Sequence, residues 1–167
     1  MKITFAKDNR GTDLLLVDGA RIMFENFAGA ASMYNRAGDR NFCLVIETEE
    51  QADELTRRGW NVTVKPPREE GRAPLMFMKV KVKFTGWGPD IDLVTGEAVN
   101  RLDEETVKRL DRIQLDHVNM DIRAFDWETA GKTGRTAYLN SMEAVQRVNR
   151  FREARRNRDE EVYEEIM

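Results

Sequence analysis

The sequence predicts a mainly β protein with two helices, of the α+β class. Three observations carry this. Short segments alternate apolar and polar residues with period 2, most clearly Val80, Val82 and Phe84 against Lys79, Lys81 and Lys83. Turn-forming pairs punctuate them, among them Asp18-Gly19 and Thr95-Gly96. Helix-start signals occur at Thr48, with Gln51 at capping-box spacing, and at Asp103, where Leu102 and Val107 form a hydrophobic staple. With 167 residues, 41% of them hydrophobic, the chain is long enough and apolar enough for one core, despite 34% charged residues.

In order, residues 2–18 read as a strand pair around the turn Asp8-Asn9-Arg10-Gly11. Residues 20–27 read as a strand, Ile22 and Phe24 facing one way and Arg21, Met23, Glu25 and Phe27 the other. A Gly-bearing loop, 28–40, leads to a strand with Phe42, Leu44 and Ile46 on one face. The first helix starts at Thr48, buries Ala52 and Leu55 and stops at Gly59. Trp60, Val62 and Val64 alternate in a short strand that Pro66-Pro67 ends. The strand 75–84 follows and ends at Gly86-Trp87-Gly88-Pro89. Ile91, Leu93 and Val94 precede the Thr95-Gly96 turn, and the second helix spans about 103–112. A long hairpin closes the body: strand 117–127, turn Ala130 to Gly134, strand 135–145. Without the helix–strand excursion at 48–73, five strands remain with a helix between the third and fourth. That is the layout of a five-stranded OB-like barrel; a mixed α+β sandwich of the same elements is the alternative.

Composition excludes several functions. One Cys and one His build neither a disulfide nor a zinc site. No cofactor is indicated. The apolar runs are too short to span a membrane, and Met1-Lys2-Ile3-Thr4 opens no secretory signal, so a soluble cytoplasmic protein is expected. Ala130-Gly131-Lys132-Thr133 ends like a phosphate-binding loop, but Asp126 stands where its first Gly belongs. Asp90 and Asp92 lack the following Glu-x-Lys of a metal nuclease, and neither His117 nor Cys43 has a catalytic partner in view. An enzyme is therefore not expected.

The net charge is -3, but its distribution is uneven. Residues 147–158 hold six Arg, and 159–165 hold five acids and no base. Within the body, Lys79, Lys81 and Lys83 put three ammonium groups on one strand face, spaced at about 6.7 Å. A phosphate backbone compensates such a stripe; so do carboxylates on neighbouring strands, and an edge strand uses lysines for protection. Arg123, Phe125 and Trp127 face away from Val118, Met120 and Ile122, a stacking platform for unpaired bases unless the rings cover a second small core. Tyr138, Lys132 and Arg135 extend that surface. Phe27, Tyr34, Arg36 and Arg40 interleave rings with guanidinium groups at and within the 28–40 loop, and OB-folds bind oligonucleotides with such loops; an ordinary long hairpin loop is the alternative.

The runs Gly19-Ala20-Arg21-Ile22-Met23-Phe24-Glu25-Asn26-Phe27, Asn35-Arg36-Ala37-Gly38-Asp39-Arg40-Asn41-Phe42 and Gly59-Trp60-Asn61-Val62 resemble a group of small bacteriophage early proteins, some of them single-stranded-DNA-binding. The later order is similar too: a strand through Phe84, a helix, then a hairpin through Trp127, Gly131-Lys132 and Tyr138-Leu139. The likeness covers residues 19–145. It implies an OB-like fold and sequence-nonspecific binding of single-stranded DNA in phage replication or recombination, in the cytoplasm of an infected bacterium. The expected division is an OB-like nucleic-acid-binding domain over 1–146, with 1–18 an added hairpin and 48–73 an insertion, followed by a basic segment and acidic tail over 147–167. The tail suits docking on phage or host replication proteins, though it ends Glu165-Ile166-Met167 without the Pro-Phe tip of bacterial single-strand binders. Homo-oligomerisation stays open. The rival reading is an accessory module that binds or inhibits a host protein.

Overall fold

The longest elements form where alternation is longest. In the computed structural model, which describes residues 1–86 and 88–148, the hairpin consists of β9 (Leu115–Thr129) and β10 (Lys132–Gln146). It is preceded by β1 (Lys2–Lys7), β2 (Asp13–Ala20), β3 (Ile22–Asn26), β4 (Arg40–Val45), α1 (Glu49–Arg57), β5 (Thr63–Lys65), β6 (Leu75–Val82), β7 (Asp90–Thr95), β8 (Ala98–Leu102) and a 3-10 helix, Val107–Asp111. These strands make one mixed sheet in the order β1-β2-β9-β10-β6-β4-β3, with β5 on β6 and the β7–β8 pair on β10. Strand β10 is antiparallel to β9 and parallel to both β6 and β7.

One face of this sheet is the core. Val118, Met120 and Ile122 of β9 meet Leu15 and Val17 of β2 and Leu139, Met142 and Ala144 of β10. Phe42 and Leu44 of β4 lie opposite Val80 and Met78 of β6. Helix α1 lays Ala52 and Leu55 on this core. Its start is as predicted: Thr48 Oγ1 accepts from the Gln51 N–H at 3.1 Å. Its end is a Gly59 at φ +90°, with the Trp60 N–H returning to the Leu55 carbonyl. No described helix is long and apolar enough to cross a membrane.

Several expectations are corrected. The sheet is open, not a closed five-stranded barrel: among the described residues no ladder joins β1 to β3. The outer edge of β10 is divided between β6 and β7 instead, on either side of a bulge between Leu139 and Ser141. The second helix is a short 3-10 helix. Asp103 Oδ1 accepts from the N–H groups of Glu105 and Thr106, and the next bonds run Arg109 to Thr106 and Arg112 to Arg109, so the segment turns too tightly for an α-helix. Residues 98–102, not assigned from the sequence, form β8. Asp18-Gly19 lies within β2, at a bulge where the Gly19 N–H binds Asn119 Oδ1. The hairpin turn is two residues, Ala130 (φ 51°) and Gly131 (φ 78°), so both arms run further than predicted. The short strand keeps only Thr63–Lys65, and β6 stops at Val82, leaving Lys83 and Phe84 just beyond it. The predicted turn residue Trp87 and nearly all of the basic and acidic terminal blocks lie outside the described residues.

Candidate nucleic-acid interface

The face opposite the core collects the predicted residues by register. Arg123 of β9 is paired with Tyr138 of β10, Tyr138 with Lys81 of β6, and Lys81 with Asn41 of β4. Paired residues share a face, so one row crosses four adjacent strands as guanidinium, phenol, ammonium and amide. Around it the contacts are continuous. The Arg123 guanidinium lies over the Tyr138 ring at 4.8 Å, and the Phe125 ring meets Tyr138 edge-on at 6.1 Å. Phe125 is 50% exposed and Trp127 38% exposed, so neither is sealed in a core.

Trp127 has a specific seat. Its cross-strand partner is Gly134, and a Cβ there would stand 2.3 Å from indole Cζ2. The ring therefore lies across the glycine, and only glycine permits that approach. Lys132, beside the turn, continues the same side of β10 by alternation.

The lysines are exposed. Among the described residues, none of Lys79, Lys81, Lys83 and Arg123 has a carboxylate within 4.0 Å. Neighbouring strands thus do not neutralise the stripe. Past the β10 bulge the character reverses. Asp121 and Glu143 continue the face on β9 and β10, while Asp90 and Asp92 of β7 pair with Arg101. The face is basic and aromatic on one side of the bulge and acidic on the other. Between β6 and β10 it opens into a cleft of about 180 Å³ lined by Lys79, Lys81, Thr136 and Ala137, with Trp60, Asn61 and Arg135 on the flank. Asn61 Nδ2 donates to the Arg135 carbonyl at 2.6 Å and fixes that flank.

The 28–40 loop adjoins the row. Asn41 Nδ2 donates to Asn35 Oδ1, and the Asn35 amide donates to the carbonyls of Ala30, Arg36 and Asp39. Gly38 donates to the Gly29 carbonyl at 2.8 Å, pinching the loop base; a Cβ at Gly29 would lie 3.1 Å from Gly38 backbone. Asp111 accepts from the N–H groups of Phe27 and Ala28. The loop is thus pinned at its base beside Lys81 and presents Tyr34, 91% exposed, together with an exposed Arg36.

Three predicted residues stand apart. Phe27 is fully buried and stacks on Phe42 in the core, because the shift in β3 reverses the side that alternation gave it. Arg40 is committed to the loop base: its Nε donates to the Phe27 carbonyl, Nη1 pairs with Glu104, and the guanidinium sits 5.5 Å from the Phe84 ring centroid. Arg135 points to the other side of the hairpin. It pairs with Asp126 at 2.6 Å and Asp13 at 2.9 Å, donates to the Arg58 carbonyl and covers the Trp60 ring, with its side chain 12% exposed. Hydrogen bonds from Arg135 hold the Asp126 carboxyl below the usual range. Burial pushes the Asp13 carboxyl up, but Arg135 and Lys7 outweigh it and bring it down. This is a clamp between β2, the α1 terminus and the hairpin, not part of the row. Burial raises the Cys43 thiol, in keeping with a packed residue and not a thiolate.

Residues missed from the sequence include Asn41, Asn61 and Gly134. Asn41 and Gly134 sit at cross-strand register positions that become visible only once the pairing is known.

No curated protein matches the chain. Among solved structures, the single-stranded DNA-binding protein from bacteriophage Enc34 is similar at TM-score 0.54 and 11% identity, over 89% of this chain and 92% of that one. The same phage protein in complex with ssDNA aligns at TM-score 0.48 and 14% identity, over 89% and 97%. The first of these likenesses concerns the fold. The family of putative phage ssDNA-binding domains matches residues 5–156, most of the sequence, and the chain belongs to that family.

Proposed function

We propose that the chain binds single-stranded DNA without sequence preference on the β9-β10-β6-β4 face. The observation that carries this is the row Arg123–Tyr138–Lys81–Asn41, with exposed rings beside it and lysines that pair with no carboxylate among the described residues. Bases stack on Phe125, Tyr138 and Trp127, a sequence-tolerant contact because every base has a π-face. Lys79, Lys81, Lys83 and Arg123 meet the phosphates and release their counterions. Lys132 at the turn, and Tyr34 and Arg36 on the pinned loop, extend the contact at its two ends. Family membership and the shared fold support the reading, and the phage protein of similar fold has been solved with ssDNA. The role is non-enzymatic: the protein covers exposed strands during phage replication or recombination in the infected cell. The open sheet is a relaxed relative of the OB-like barrel, with residues 1–146 as the binding unit. The acidic end, 159–167, is proposed to compete for the basic face or to dock on replication proteins.

Oligo-dT should quench the tryptophan fluorescence of the wild-type protein, and Trp127→Ala should remove most of that signal. Saturating oligo-dT that leaves the fluorescence unchanged, with no mobility shift, would sink the proposal.

A further inference from the structure

The lysine strand carries a ring of its own on the same face. Phe77 lies two positions before Lys79 on β6, so alternation puts it on the lysine side. Its ring is met edge-on by Phe24 of β3, centroids 5.8 Å apart at 81°, and Lys65 Nζ of β5 lies 5.8 Å from its centroid. Strand β3 would place Phe24 inward beside Ile22. Instead the β3–β4 register shifts between Met23 and Asn26, and Phe24 takes a φ of +53°. An aromatic residue in the left-handed region is strained, and such strain persists only where the surroundings enforce it. Here it turns the ring out, 59% exposed, against Phe77.

We propose that Phe24, Phe77 and Lys65 form a second base-stacking station, occupied by the same single strand that covers Phe125 and Tyr138. The inference rests on the function proposed above and deepens it. Two features select this occupant. The rings continue the lysine stripe, with Phe77 about 13 Å along β6 from the Tyr138–Lys81 pairing. Lys65 is exposed and, among the described residues, has no carboxylate within 4.0 Å, so a cation is free for phosphate beside the rings. The strand therefore runs from the hairpin rings, over the lysines, to the β3 edge.

The test uses Phe24→Gly, which removes the ring and suits the positive φ, so its melting temperature should match or exceed that of wild type. Binding of a long oligo-dT should weaken about 5-fold or more, in line with loss of one stacked base. Lys65→Ala should lower the salt slope of binding by about 0.7. Wild-type binding by both variants, while Phe125→Ala is weakened, would overturn the second station alone. Wild-type binding by Phe125→Ala as well would overturn the whole interface.

Discussion

Replacing Lys79 and Lys81 by alanine separates a binding role from a structural one. Adjacent ammoniums about 6.7 Å apart along the strand repel by roughly 0.6 kcal/mol in bulk water. Both side chains are exposed, and neither has an acidic partner among the described residues, so nothing in the fold depends on them. The double variant should therefore unfold at the same denaturant concentration as wild type, or slightly higher. Binding should respond differently. If Lys65, Lys79, Lys81, Lys83 and Arg123 each meet one phosphate, log K falls against log salt with slope about -3.5, at ~0.7 per contact on single strands. Affinity then drops about 130-fold between ~50 and ~200 mM salt, against about 18-fold for the double variant, whose slope is about -2.1. Fluorescence anisotropy of labelled oligo-dT across a salt series measures both slopes. Equal slopes for the two proteins would refute the phosphate role of the stripe. A large loss of stability in the variant would show that the lysines serve the fold.

Two further substitutions test the surroundings of the face. Arg135→Ala should cost about 2 kcal/mol at neutral pH, since hydrogen bonds to two carboxylates are lost. Asp126 and Asp13 have folded pKa values below the ordinary 3.8, so their contribution is complete above that pH and disappears as pH falls through the lowered values. In urea melts, the gap between variant and wild type should narrow below about pH 4; a pH-independent gap contradicts the clamp. Gly134→Ala puts a Cβ where the Trp127 indole lies. The half-exposed ring should swing away, giving red-shifted emission and weaker quenching by oligo-dT, and an unchanged spectrum would show that the ring does not rest on the glycine.

How far the sequence was legible depends on the range of the signal. Thr48, Gln51 and Gly59 announce α1 because capping is local chemistry between residues a few positions apart. The Lys79–Val82 alternation announces β6 and its two faces for the same reason. Arg135 misled because charge alone does not reveal side; its face follows from pairing with Asp126 across a turn shorter than predicted. Phe24 misled because a bulge in β3 cancels the alternation that placed it beside Ile22. The second helix failed because Asp103 and Thr106 satisfy each other's polar groups in a tight turn, which the same residues also signal at a helix start. Openness of the sheet depends on which strand takes each stretch of the β10 edge, and no local pattern encodes that choice.

Photo-crosslinking of a thiothymidine-substituted oligo-dT to the full chain, with adducts mapped by mass spectrometry, tests the interface most directly. Adducts are expected on Phe125, Trp127, Tyr138 and the lysine strand. Adducts confined to the acidic α1 surface or to the β7–β8 hairpin, with none on those rings, would contradict the account.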